Sequence, residues 1–125
     1  MKVEQLFTGC LAEMAYYIES NGEAAVVDPL RETEPYLQMA EADGAKIKYI
    51  FLTHLHADFV SGQYDLAHKT GARIIFGPNA TAEYNIYNGA DGEDFFVGNG
   101  KITLLHTPGH TMESSSYLIT DEDGN

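Results

Sequence analysis

Cysteine occurs once, at Cys10, in a chain of 125 residues, so no internal disulfide framework holds the fold. Between Gly9 and Leu11 that thiol reads as a small core-filling hydrophobe. Basic residues are also scarce: seven lysines and arginines stand against nineteen acidic residues, a net charge of −12. A surface of that sign repels phosphate backbones and argues against a nucleic-acid partner. It also opposes the approach of an anionic substrate, unless the cleft holds positive charge of its own such as a metal ion. Its plainest consequence is solubility. No apolar run approaches the ~20 residues that a membrane-spanning helix needs, which argues against a membrane partner. Met1-Lys2-Val3-Glu4-Gln5 lacks the basic-then-apolar pattern of a secretory leader, and a cytoplasmic protein is expected. Repeats, low-complexity tracts and linkers are absent too, so residues 1–125 read as one small domain with a single core.

What is present begins as a run of short strands. Val3–Phe7 and Ala15–Ser20 carry strand patterns, Asn21-Gly22 is a two-residue hairpin signal, and Ala24–Asp28 follows up to Pro29. Thr33 is placed to cap a helix from Glu34, with Pro35 in the first turn, an apolar stripe of Tyr36, Leu37, Met39 and Ala40, and Gly44 as the stop. Lys46–Thr53 reads as a buried strand. Phe59–Thr70 reads as a helix with Val60, Tyr64, Leu66 and Ala67 inward and Gly71 at its end. Arg73–Phe76 is another short strand, Asn79–Tyr87 reads as a helical turn or two, and Gly89–Gly100 is turn-rich around the apolar patch Phe95-Phe96-Val97. Lys101–His106 and Ser115–Thr120 close the set.

The last strand runs into Asp121-Glu122-Asp123-Gly124-Asn125, whose Asp-Gly pair reads as a hairpin turn without a second arm. On that pattern the expectation is a sequence cut short. The order helix, strand, helix, strand between Thr33 and Phe76 suggests stacked α/β units with at least one parallel pairing, hence a mixed sheet with helices on one face. The other face then needs a cover, which a second copy of the chain is expected to supply.

The chemistry concentrates at Thr53-His54-Leu55-His56-Ala57-Asp58. Two histidines at i and i+2 project to the same side of an extended chain, about 6.6 Å apart along it. Two imidazoles so spaced converge on one cation at metal–nitrogen distances near ~2.0–2.1 Å. Asp58 follows in the same register and adds a carboxylate. A cluster of this kind at the end of an apolar strand, just before a helix, sits where α/β sheets bind ligands. A second element, Thr107-Pro108-Gly109-His110, follows the strand Lys101–His106; Pro108 fixes the turn and Gly109 allows a close backbone approach. Alone Pro-Gly-His marks only a turn, but together with His-x-His-x-Asp it points to a metal centre.

Thr53–Asp58 and Thr107–Thr111 resemble the two signature motifs of the metallo-β-lactamase superfamily, and nearly the whole chain is similar to the N-terminal half of that αββα sandwich. The resemblance implies that His54, His56 and His110 are metal positions and that Asp58 is a second-metal or catalytic position. The family motif runs His-x-His-x-Asp-His, whereas this chain has Phe59 at the final place. An aromatic ring does not bind such a cation, so a mononuclear centre is favoured. The run Thr-His-Leu-His-Ala-Asp-Phe-Val-Ser-Gly, followed by Leu-Ala-His-Lys-Thr-Gly-Ala, is similar to the persulfide dioxygenase branch, often fused to rhodanese domains.

That branch implies one non-haem Fe(II) held by two histidines and an aspartate, leaving positions open for O₂ and a sulfur substrate. The implied reaction oxidises a low-molecular-weight persulfide of the glutathione type to sulfite. His54 and His110 are then the direct ligands, His56 a ligand or close neighbour, and Asp58 an orienting group. The family's aspartate ligand lies beyond the Gly-His motif, past Asn125, so weak metal binding is expected of this chain alone. Thr53, Thr111, Phe59 and Asp28 are expected to surround and orient the ligands; Asp28 ends Ala-Val-Val-Asp-Pro, similar to an Asp-Pro that organises the metal loop in the superfamily. His68 reads as a surface residue and His106 as core or a neighbour of the site. Two other readings stand beside this one: a Zn(II) hydrolase of the same fold, resembling hydroxyacylglutathione hydrolases, and an inert fragment that self-associates as a homo-oligomer through its open sheet face.

Overall fold

The computed structural model describes residues 1–8, 13–29, 33–53, 63–76, 86–106 and 115–121. Strands β1 (Lys2–Thr8), β2 (Glu13–Ser20) and β3 (Glu23–Val27) form an antiparallel meander. The β2–β3 turn is Asn21-Gly22, with φ of 52° and 87°, the left-handed pair that the twist of a tight hairpin demands. After helix α1 (Glu34–Asp43), β4 (Lys46–Phe51) pairs parallel to β3. Helix α2 (Gln63–Thr70) then leads to β5 (Arg73–Phe76), parallel to β4, and β6 (Tyr87–Asn88) adds a short parallel edge. The six strands lie in the order β1-β2-β3-β4-β5-β6. A second, antiparallel sheet holds β7 (Asp94–Val97), β8 (Gly100–His106) and β9 (Ser115–Thr120). This is the mixed-sheet α+β architecture expected from the sequence.

Helices α1 and α2 cover one face of the larger sheet, α1 against β2 and β4, α2 against β4 and β5. Tyr36, Ala40 and Leu66 pack there on Tyr17, Val26, Ile50, Leu52, Ile74 and Phe76. Gly44 ends α1 in the left-handed conformation at φ 62°, and the amide of Ala45 reaches back to the Ala40 carbonyl at 2.8 Å, a closing bond typical of helix C-termini. Thr33 does not cap α1 as expected. Its side chain makes no capping bond; its hydroxyl instead accepts from the Lys69 ammonium at 3.1 Å, while its carbonyl takes the Tyr36 and Leu37 amides. Tertiary contact with α2 has claimed the oxygen that local sequence assigns to the helix.

The opposite face is covered by this chain itself, which corrects the expectation of a second copy. Phe95, Val97, Ile102 and Leu104 of the smaller sheet close on Ile18, Ala25, Val27, Phe51 and Ile75 of the larger one. Phe51 stands 5.5 Å from the Phe95 ring and 4.9 Å from the Tyr117 ring, centroid to centroid. Aromatic pairs at such separations add about 0.5–1.5 kcal/mol each beyond the area they bury. The core between the two sheets is thus supplied within one chain. Among the described residues the most exposed large apolar side chains are Phe96 and Leu118 of the smaller sheet, at 58% and 56%, followed by Val3 at the β1 edge of the larger one.

The strand β4 reaches both cores through a bulge. Strict alternation would put Ile47, Tyr49 and Phe51 on one side and Lys48, Ile50 and Leu52 on the other. The β3–β4 register shifts between Ala24 and Ala25, pairing Ala24 with Ile47 but Ala25 with Tyr49, so Lys48 is the extra residue. Ile47, Ile50 and Leu52 thereby face the helices while Tyr49 and Phe51 face the second sheet. Lys48 turns out to the Glu23 carboxylate and the Phe96 carbonyl, both at 3.3 Å.

Glu23 also accepts the Gly98 amide at 2.8 Å, so it joins the β2–β3 hairpin to the β7–β8 turn. That amide first, and Lys48 second, hold its carboxyl below the usual carboxylate range. A lowered folded-state value means stability that is present above the unfolded value of about 4.3 and lost as pH falls through the folded one. Because the Glu23 side chain remains 40% exposed, solvent screening keeps the effect small. In urea titrations the wild type is expected to lose slightly more stability between about pH 5 and 3 than Glu23→Gln; parallel curves would contradict this.

Of the remaining expectations, the strand to Thr53 stops at Phe51, and Tyr87 joins β6 rather than a helical turn. Residues 59–62 and 79–85 lie outside the described residues. Among the described residues no helix is long and apolar enough to cross a membrane.

Candidate metal centre

Three chain segments come to one edge of the sandwich, and each is held there by identifiable bonds. The first is the end of β3. Asp28 has φ 49°, a left-handed conformation that Asp tolerates better than most residues, and its amide donates to the Phe51 carbonyl at 2.8 Å. The carboxylate then faces the chain leaving β4. One oxygen accepts the Thr53 amide at 2.8 Å and the other accepts the Thr53 hydroxyl. Hydrogen bonds to an ionised group contribute roughly 1.5–3 kcal/mol each, enough to offset the left-handed backbone of about 1–2 kcal/mol. Asp28 thus holds the residue immediately before His54.

The second segment is the end of β4. Its ladder to β5 closes with the Leu52 amide on the Ile75 carbonyl at 2.9 Å. The Leu52 carbonyl accepts the Tyr117 hydroxyl at 2.6 Å, and the same hydroxyl lies 3.4 Å from the Ile75 carbonyl. Burial, and then the negative field of Asp28, push the Tyr117 phenol well above its ordinary value, so it keeps its proton and stays a donor. The third segment is the β8–β9 hairpin. Tyr117 pairs with Leu104, and two positions on His106 pairs with Ser115, so residues 107–114 leave from the edge that Tyr117 joins to Leu52.

The expected ligands themselves, His54, His56 and His110, lie outside the described residues, as do Asp58, Phe59, Thr111 and Cys10. Among the described residues no cluster of three or more His, Cys, Asp or Glu side chains could hold a metal ion. What the structure places is where the two motif-bearing segments start: residues 54–62 follow Thr53 and precede α2, and residues 107–114 lie between β8 and β9 in the chain. Of the expected surrounding residues it brings Asp28 and Thr53 into direct contact. His68 is exposed on α2. Sequence reasoning missed Tyr117. Its signal was available, since it is the aromatic residue of β9 and falls in the inward register with Ile119.

The segment that follows Thr53 carries His-x-His-x-Asp in its sequence, and the segment between β8 and β9 carries Gly-His. The family model of the metallo-β-lactamase superfamily matches residues 8–125, and the chain belongs to that superfamily. A hydroxyacylglutathione hydrolase of Acidiphilium cryptum (strain JF-5) is 31% identical over 109 residues, covering 86% of this chain and 44% of the relative. Among solved structures, a metallo-β-lactamase from Staphylococcus aureus subsp. aureus COL superposes with TM-score 0.82 at 37% identity, over 98% of this chain and 39% of that one. ETHE1 from Myxococcus xanthus gives TM-score 0.83 at 31% identity, over 97% of this chain and 55% of that one. The chain therefore spans roughly two fifths to just over half the length of these relatives.

Proposed function

We propose that this chain forms the metal-binding part of a mononuclear Fe(II) persulfide dioxygenase, which oxidises the outer sulfur of a glutathione-type persulfide to sulfite with O₂. The observation that carries the reading is Phe59, which stands where the superfamily motif has a histidine and removes a donor for a second metal. The likeness to ETHE1, a persulfide dioxygenase, over nearly the whole chain supports it. The donor set fits: imidazoles at His54, His56 and His110 with a nearby carboxylate at Asp58 suit Fe(II) or Zn(II), and no thiolate is needed. Fe(II) bound there would supply open coordination positions for O₂ and a sulfur ligand. The protein's own contribution is orientation. Asp28 clamps Thr53 so that the backbone enters the His54–Asp58 loop from a fixed point, and Asp58 would orient the ligands.

A second reading is a Zn(II) hydrolase acting on a glutathione thioester, favoured by the 31% identity to a hydroxyacylglutathione hydrolase. Metal analysis after anaerobic purification, with parallel assays, separates the two. Iron together with persulfide-dependent O₂ uptake and sulfite release is the expected result. Zinc with thioester cleavage and no O₂ uptake would overturn it in favour of the hydrolase.

A further inference from the structure

We propose that Tyr117 is a positioning residue for the metal-binding loop, because its phenol joins the strand end that leads to His54 to the hairpin that carries His110. The proposal rests on the metal-binding reading above and assigns a second device, besides Asp28, for presenting the loop. The Leu52 carbonyl lies one residue past the end of β4, where the parallel ladder has closed, and the hydroxyl of Tyr117 reaches it at 2.6 Å. Tyr117 sits on β9 opposite Leu104, two pairs from the His106–Ser115 pair that bounds residues 107–114. One side chain of the smaller sheet thus bonds to the end of a strand in the larger sheet. In sequence, Leu52 lies two residues before His54, and Tyr117 follows the segment 107–114 that includes His110.

Packing alone would not need the hydroxyl. The ring already lies 4.9 Å from Phe51, and phenylalanine would preserve that contact. What the oxygen adds is a direction for the Leu52 carbonyl, and hence for the peptide that enters Thr53. Asp28 grips the next residue from the other side, through the Thr53 amide and hydroxyl. Leu52 and Thr53 are consequently fixed at successive positions by donors and acceptors from two different strands.

The test compares Tyr117→Phe with Tyr17→Phe, which removes another phenol bond, the 2.9 Å contact to Asp43 at the end of α1. Three readouts are taken on the 125-residue chain: urea stability, amide exchange at Leu52 and Thr53 by NMR, and Co(II) affinity with its visible spectrum. Tyr117→Phe is expected to speed exchange at Leu52 and Thr53 beyond any global loss. It is also expected to weaken Co(II) binding roughly 10- to 100-fold, the range seen when groups that orient metal ligands are removed. Tyr17→Phe is expected to leave both unchanged at comparable stability. Equal effects of the two variants, or unchanged Co(II) affinity in Tyr117→Phe, overturn the proposal. Should the wild-type chain take up no Co(II), the metal reading itself fails for this chain. The exchange comparison then decides alone whether Tyr117 holds the strand end, and unchanged exchange overturns that claim too.

Discussion

Replacing His54 with alanine is expected to lower the affinity of the chain for Co(II) or Zn(II) about a hundredfold while leaving the urea midpoint where it was. Apparent binding energies of about 10–16 kcal/mol for four-ligand zinc sites correspond to roughly 3 kcal/mol for each ligand, and about 1.4 kcal/mol is a factor of ten. Stability should be spared because the chain is held one residue earlier, by the Thr53 amide and hydroxyl on Asp28. Isothermal titration calorimetry on the metal-free chain checks the affinity. His68→Ala is the companion measurement, since His68 is exposed on α2 and should change nothing. Equal affinities for wild type and His54→Ala would remove His54 from the site. A loss shared by His68→Ala would mean that metal binds adventitiously to surface imidazoles.

The family was legible from sequence because its motifs are short and locally spaced, as in His54-Leu55-His56-Ala57-Asp58, and the family model matches residues 8–125. The strands were legible for a similar reason. Ser115–Thr120 and Arg73–Phe76 coincide with β9 and β5, and the alternation in Asp94–Val97, with Phe95 and Val97 buried and Phe96 exposed, is a period-two pattern. What stayed hidden was pairing across long separations. Local pattern does not say that Phe95 meets Phe51, so the inner face of the larger sheet was read as open although this chain closes it. The bulge at Lys48 is likewise a property of the β3–β4 pair, visible only once Ala24 and Ile47 are in register. Thr33 stands at the N-cap of α1, but its backbone is right-handed helical at φ −91° and ψ −18°, and its hydroxyl meets Lys69 of the other helix where an α1 amide was expected. Tyr117 was legible as the inward-register aromatic of β9, but its bond was not, because its partner, the Leu52 carbonyl, is a backbone atom and leaves no residue signature.

The same long-range contacts make Gly98, among the described glycines, the position where one methyl group should do most damage. Gly98 lies in the β7–β8 turn at φ 57°, and a Cβ placed there would fall 1.9 Å from the Ser20 carbonyl oxygen and 2.5 Å from its carbon. Both atoms are backbone of the β2–β3 hairpin, so no side-chain rotation relieves the clash. Either the hairpin or the turn must move, and movement breaks the Gly98 amide bond to Glu23 and the Asn99 amide bond to the Ser20 hydroxyl. Overpacking of this kind costs about 1–3 kcal/mol, and a left-handed backbone adds about 1–2 kcal/mol for alanine. Gly98→Ala is therefore expected to lose roughly 2–5 kcal/mol of a total of about 5–15 kcal/mol, lowering the thermal midpoint by on the order of 10 °C or more. Gly92→Ala separates the two causes. Gly92 has φ 85° but nothing within 4 Å of where an added methyl would sit, so it should show the backbone cost alone, about 1–2 kcal/mol. If the two variants melt together, contact between the sheets at Ser20 contributes nothing, and the closure of the larger sheet rests on the apolar interface around Phe51 and Phe95 instead.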